Sequence, residues 1–211
     1  DLLVRIVPVE QLRSGWARAS TGERLNYRST RQERFSYAYA RWLLTFEWTG
    51  AQLGDAHVSI RQASARPRSN SERFLNSLSL RLQRLKKIDT MRVTEENLAE
   101  LADTIRRARP RAMFGYPSAV TLIASYMQDD RLPCLPIPSV CLGGERLYGR
   151  QKALLRQVFG ADPYVRYGSN ELHEVAAQCS LREGLHLLAG DFIVEVVDAA
   201  GSPLPPGARG R

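Results

Sequence analysis

The chain has 211 residues, 44% hydrophobic and 25% charged with a formal charge of +8, which suits a globular protein with a substantial core and leaves no room for a long low-complexity tract. No stretch approaches the about 18 uncharged apolar residues of a membrane span, and the opening Asp1-Leu2-Leu3-Val4-Arg5 lacks the basic-then-apolar layout of a signal peptide, so export and membrane anchoring have no support. Three scattered cysteines, Cys134, Cys141 and Cys179, argue against a disulfide framework and for a reducing cytoplasm.

In chain order, Phe35, Tyr39, Trp42, Leu43 and Phe46 recur every three or four positions and predict a long amphipathic helix over residues 32–48. Thr49-Gly50 and Leu53-Gly54-Asp55 break it, and residues 57–60 read as a short strand. Residues 61–73 are polar and basic around Pro67 and read as a loop. Thr94 as N-cap, Glu95 and Glu96 in the first turn, and Arg106, Arg107 and Arg109 in the last predict a second helix, closed by Pro110. Strand and helix then alternate: strand 112–115, helix 117–128 opened by Pro117, strand 139–142, helix 147–159 and strand 164–167. That order indicates βαβ units, hence an α/β fold with a mainly parallel sheet and flanking helices. Beyond Glu171, residues 184–188 and 192–198 read as strands and Gly201-Ser202-Pro203 as a turn, an antiparallel ending. The expected division is a first region over 1–30, an α/β core over 31–183, and the start of a β subdomain over 184–211.

Three segments carry chemistry. Gly143-Gly144-Glu145 follows a predicted strand directly and precedes a helix, where ligands sit in open parallel sheets and glycine admits a flat ring close to the backbone; a tight strand-to-helix turn accounts for it equally well. Tyr167-Gly168-Ser169-Asn170-Glu171 follows the next strand, so both turns are expected to share one crevice at one sheet edge. There an aromatic ring can stack a base and a carboxylate can hold magnesium, although a solvated loop glutamate is the plain alternative for Glu171. Ser20-Thr21-Gly22 resembles a phosphate-holding loop, and a Ser/Thr turn explains it as well.

YGSNE, the preceding GGE, the FGYPSAV of residues 114–120, the FSYAYARW helix, Gly54-Asp55 and the closing IVEVVDAAGSPLPPGARG together resemble phenylacetate-CoA ligase and its relatives named for capsular polysaccharide biosynthesis. The resemblance spans nearly the whole chain, with YGSNE in its GGE context the most specific part. It implies the N-terminal domain of an adenylate-forming enzyme. Such an enzyme joins a carboxylic acid to ATP with Mg²⁺, releases pyrophosphate, and passes the acyl group from AMP to coenzyme A. By position, the resemblance assigns Ser20, Thr21 and Gly22 to the phosphate loop and Gly143, Gly144 and Glu145 to the adenine-binding turn. It assigns Tyr167, Gly168 and Ser169 to the segment flanking the nucleotide, and Glu171 to the catalytic, magnesium-associated glutamate.

The chain departs from the family at Ala17, Arg18 and Ala19, where Thr/Ser-Ser-Gly is usual, and at Arg24, where proline is common. The family's ribose-binding aspartate and lysine-bearing C-terminal domain are expected after Arg211. This fragment alone is therefore expected to be inactive, and a degenerate adenylate-binding homologue serving as an interaction module is the second reading. A nucleic-acid-binding domain is a third, allowed by the charge but unsupported by any RNA motif or helix-turn-helix signature. The arginine excess, with lysine only at Lys86, Lys87 and Lys152, is explained by a GC-rich genome as well as by a function. Cys179 and His186 suit zinc chemically, but the sequence offers no clear second ligand pair, and a buried cysteine and a histidine on a strand face are the expectation.

Overall fold

The computed structural model describes residues 8–18, 22–62 and 69–210. After one 3-10 turn, a β-hairpin opens the chain: β1 (Leu12–Arg18) pairs antiparallel with β2 (Arg24–Thr30), from Leu12 opposite Thr30 to Arg18 opposite Arg24. Of the expected phosphate-loop region, Ala17 and Arg18 end β1, Gly22 stands just before β2 and Arg24 opens it, while residues 19–21 lie outside the described residues.

A π-helical turn, Glu33–Tyr37, leads into α1 (Ala38–Trp48), so the expected helix forms but its first turn is wound wide. Then come β3 (His57–Arg61), α2 (Asn70–Leu82), β4 (Leu85–Asp89), α3 (Leu98–Ala108), β5 (Ala112–Gly115), α4 (Pro117–Asp129), β6 (Ser139–Leu142), α5 (Gly149–Phe159), β7 (Tyr164–Ser169), β8 (His173–Ala177) and β9 (His186–Leu187). The large sheet has the order β4-β3-β5-β6-β7-β8-β9. Its first five strands are parallel, and β8 and β9 are added antiparallel.

Both faces of the parallel part are covered, as such sheets require. Successive residues of β5 show it. Met113 joins Val58, Ile60, Val140 and Leu142 under α3, α4 and α5, where Ile105, Ile123 and Leu155 are fully enclosed. Phe114 turns the other way and stacks on Phe46 of α1 at 5.4 Å, with Trp42 over Phe46 at 4.9 Å. A Thr49–Ser139 hydroxyl contact of 2.5 Å ties the end of α1 to the start of β6.

Four expectations change. The last four residues of the expected loop, from Asn70, open helix α2, capped by Ser69, whose Oγ accepts the Glu72 N–H at 3.2 Å. Strand β4 was hidden by its two lysines, which suit an edge strand. The Thr94 helix begins as a 3-10 turn, Glu95–Asn97, because Asn97 Nδ2 occupies the Thr94 hydroxyl at 3.0 Å. Residues 192–198 form no strand; only Val197 bridges to Pro203, closed by Asp198 Oδ1 accepting from the Ala200 and Ser202 N–H groups. The antiparallel ending lies earlier, at β8 and β9, where β8 was not expected.

Candidate active site

The parallel register decides what meets what. Gly115 stands opposite Leu142, and Leu142 opposite Val165, so β5 and β6 end level while β7 runs on past that edge to Ser169. The Gly143 N–H reaches back to the Gly115 carbonyl at 3.2 Å. Gly143, Gly144, Gly168, Ser169, Asn170 and Glu171 therefore line a single cleft of about 980 Å³. Its floor is the sheet's carboxyl edge. Its far wall is the hairpin and the wide helical turn, through Ala17, Leu25, Arg34, Phe35 and Tyr39. Arg34 holds that wall together, donating to Ser29 Oγ at 3.2 Å and to the Arg13 and Ser14 carbonyls at 3.4 and 3.5 Å.

The two turns differ in construction. Gly144 has φ +82°, and a Cβ there would meet the Tyr116 ring at 2.7 Å, so the glycine is needed both for backbone and for space. Glu145 points away from the large cleft, its carboxylate accepting from the Ser118 N–H and the Ser118 hydroxyl, each at 2.9 Å. It thereby satisfies the open N-terminus of α4, where negative charge is favoured. Beyond Gly168, where the β7–β8 pairing shifts register, the chain turns back as a hairpin and not into a helix. A Cβ at Gly168 would overlap the His173 carbonyl oxygen, so only glycine fits. Ser169 Oγ accepts from the Leu172 N–H at 3.2 Å and closes the turn. Tyr167 is 64% exposed and is not itself a lining residue of the cleft, although its neighbours Arg166 and Gly168 are. Glu171 is half-buried on the cleft wall and has no hydrogen bond or ion pair among the described residues.

Two charged groups that the sequence reading did not single out complete the surroundings. Arg41, buried at 6%, donates to Asp191 at 2.7 Å, to Glu33 at 2.8 Å and to the Leu172 carbonyl at 3.3 Å, and lies over the Phe192 ring. Burial opposes its charge, but the bonds to Asp191 and Glu33 outweigh that and raise its pKa. It fastens α1 to the residue that follows Glu171. Deeper, Arg166 Nη1 meets Glu174 Oε1 at 2.5 Å, both side chains about one-tenth exposed, while Arg61 Nη2 stands 3.8 Å from the same oxygen. Burial pushes the Glu174 carboxyl up, opposed by Arg61 and then His173. No periodicity flags these residues, which come from three separate strands; only the sheet register brings them together.

Of the other expected residues, Gly22 sits exposed at the hairpin tip with φ +87°, while Ser20 and Thr21 lie outside the described residues. Cys179 and His186 come together, with Nε2 3.1 Å from Sγ and the imidazole edge-on to Trp48. Among the described residues no group of three or more His, Cys, Asp or Glu is placed to hold a metal ion. Cys141 is enclosed under the sheet, and burial raises its thiol pKa strongly. No helix of the described residues is long and apolar enough to cross a membrane.

No family model and no curated protein matches the chain. Solved structures do. 2-Hydroxyisobutyryl-CoA ligase in complex with 2-HIB-AMP and CoA aligns with a TM-score of 0.70 at 18% identity, covering 97% of this chain and 44% of that one. The anthranilate CoA ligase AuaEII in complex with anthranoyl-AMP gives 0.58 at 13% identity, over 92% and 37%. ATP-bound MatB from Rhodopseudomonas palustris gives 0.57 at 16% identity, over 92% and 37%. The chain spans less than half the length of these proteins, and over that length it has their α/β fold.

Proposed function

We propose that the complete protein containing this chain is an AMP-forming ligase similar to phenylacetate-CoA ligase, converting a carboxylic acid and ATP to an acyl-adenylate and pyrophosphate and then transferring the acyl group to coenzyme A. The observation that carries this is the convergence of the Gly143–Gly144 and Gly168–Glu171 turns on one cleft, beside a Glu171 carboxylate that has no ion-pair partner among the described residues. Every structure named above that shares the fold carries ATP or an acyl-AMP.

In this reading the base lies between the Gly143–Gly144 backbone and the Tyr167 ring, since glycine allows close approach and the exposed ring offers a flat apolar surface. Gly168 and Ser169 shape the turn beside the nucleotide. Ser20, Thr21 and Gly22 are assigned to the phosphates by the family resemblance alone. Glu171, with the Ser169 hydroxyl and the Asn170 amide oxygen nearby in sequence, forms an all-oxygen donor set that fits Mg²⁺, an ion that keeps several waters and needs only one or two carboxylates. When bound, Mg²⁺ would supply positive charge at the phosphates. The substrate carboxylate oxygen forms a bond to the α-phosphorus as the bond to pyrophosphate breaks; the thiol then displaces AMP from the acyl carbon. Bringing two anions together requires alignment and neutralisation, and the cleft's Arg34, Arg61 and Lys87 add positive charge to its walls.

The test is pyrophosphate release by the complete protein with ATP, Mg²⁺ and a panel of carboxylic acids. Release that depends on an added acid, followed by AMP and a thioester when coenzyme A is present, is the expected result. Absence of acid-dependent release across the panel, with ATP binding intact, would favour the non-catalytic reading.

A further inference from the structure

The proposed reaction leaves open which acid is taken, and the deep end of the cleft bears on that. A pocket for a phenyl or alkyl chain is normally lined by apolar groups, with few polar ones. Here the inner wall carries Arg166, Glu174 and Arg61, from β7, β8 and β3. Space beneath the glycine turn is already taken: a Cβ on Gly143 would meet Arg166 Cγ at 2.7 Å. The Arg166 guanidinium lies 5.4 Å from the Phe114 ring, so the ring lies behind the cation.

The hydrogen bonding of this cluster is lopsided. Both arginines address Glu174 Oε1, at 2.5 and 3.8 Å, and Oε2 accepts no hydrogen bond among the described residues. Arg61 lines the cleft, is 43% exposed, and at 3.8 Å is too far from Glu174 for a direct hydrogen bond. The cluster thus offers one open acceptor beside open donors. Two cations and one carboxylate leave it net positive, which disfavours an ammonium group. A hydroxyl, which both donates and accepts and carries no charge, matches the set. An apolar chain would strand a nearly buried carboxylate oxygen, and sites of that kind reject the analogue that lacks the hydrogen-bonding group.

We infer that the Arg166–Glu174–Arg61 cluster forms the acyl end of the cleft and selects a hydroxylated carboxylic acid over its apolar and amino counterparts. The inference rests on the adenylation reading above. Glu174 and Arg166 are specificity determinants in it, and neither replaces Glu171 at the phosphates.

The experiment is ATP–pyrophosphate exchange by the complete protein with matched acids: lactate and propionate, 3-hydroxybutyrate, butyrate and 3-aminobutyrate, 4-hydroxyphenylacetate and phenylacetate. At least one hydroxylated member is expected to exceed its unsubstituted partner by about tenfold or more in kcat/KM, with the amino acid weakest. Glu174→Gln keeps the shape and is expected to narrow that ratio to within about threefold. Because loss of one partner of a buried pair can unfold a protein, the paired change Arg166→Met with Glu174→Leu is the second variant. Apolar side chains of similar volume commonly replace buried ion pairs without loss of stability. This variant is expected to reverse the preference toward the unsubstituted acids. Exchange in which no hydroxylated acid exceeds its unsubstituted partner in the unaltered protein overturns the inference while leaving adenylation intact, as does a preference that survives in the paired variant. No exchange with any acid overturns the adenylation reading itself.

Discussion

Glu145 and Glu171 end two glycine turns at the same sheet edge, yet the fold treats them oppositely. Glu145 is fully used by Ser118 at the start of α4, whereas Glu171 has no partner among the described residues and lines the cleft. Both were assigned to the nucleotide site by motif. The difference teaches that a motif fixes where a turn lies, while the side chain's bonding partners decide whether it holds the protein or is available to a ligand. In the first turn the backbone of Gly143 and Gly144 is what remains to meet a base. In the second the carboxylate itself remains.

The comparison breaks most visibly at Glu171. Glu171→Gln keeps size and one acceptor oxygen, so circular dichroism should be unchanged while acid-dependent pyrophosphate release falls about 100- to 1,000-fold, most strongly at limiting magnesium. A change smaller than about threefold, worth roughly 0.7 kcal/mol, would mark Glu171 as a solvated loop residue. Gly168→Ala comes next. The added methyl group must displace the His173 carbonyl, and unfolding in urea should show a loss of about 1–3 kcal/mol together with impaired nucleotide binding.

Glu145→Gln is expected to be milder, costing about 0.5–1 kcal/mol by weakening the negative charge at the α4 N-terminus while adenylation changes less than about threefold. A hundredfold loss of activity there would erase the distinction between the two glutamates. The smallest effect concerns pH. His173 has φ +60° and is half-buried, and burial holds its pKa below the ordinary 6.5, with Glu33 opposing and Arg41 adding to the shift. A group with a depressed folded pKa binds fewer protons when folded, so its contribution is whole above the ordinary value and is lost as pH falls below it. His173→Asn, which tolerates the left-handed backbone, should therefore lessen the fall in stability from about pH 7.5 to about 5.5 by under ~1 kcal/mol. An unchanged pH slope would show that the imidazole does not contribute.

How much of this was legible in the sequence depends on how locally each feature is encoded. Strands β5 and β6 and the Pro117 helix were readable because enclosed apolar runs and a proline at a first turn carry their own signal. The two turns were readable from their glycines, and their meeting from the strand–helix alternation. Helix α2 was not read, although Ser69-Asn70-Ser71-Glu72 holds a capping signature, because the basic run before it and Pro67 dominated the reading. Its Phe74, Leu75, Leu78 and Leu82 recur at helical spacing, a signal the reading passed over, and they stay exposed in the structure. Residues 192–198 show the converse error, since their β-branched Ile193, Val194 and Val196 stay exposed and the segment forms only the Val197–Pro203 bridge. The Arg166–Glu174–Arg61 cluster and the Arg41 clasp were illegible for a physical reason: Arg41 meets Asp191 150 residues away, and no local pattern encodes such a pairing.

The central claim is that the cleft between Gly143–Gly144 and Tyr167–Glu171 is the nucleotide site. The most direct test is a crystal structure of the complete protein soaked with Mg²⁺ and a non-hydrolysable ATP analogue. The account predicts the adenine between the Gly143–Gly144 backbone and the Tyr167 ring, with the phosphates and the metal on the Glu171 side. A nucleotide bound in full occupancy anywhere else, with this cleft empty, would contradict it.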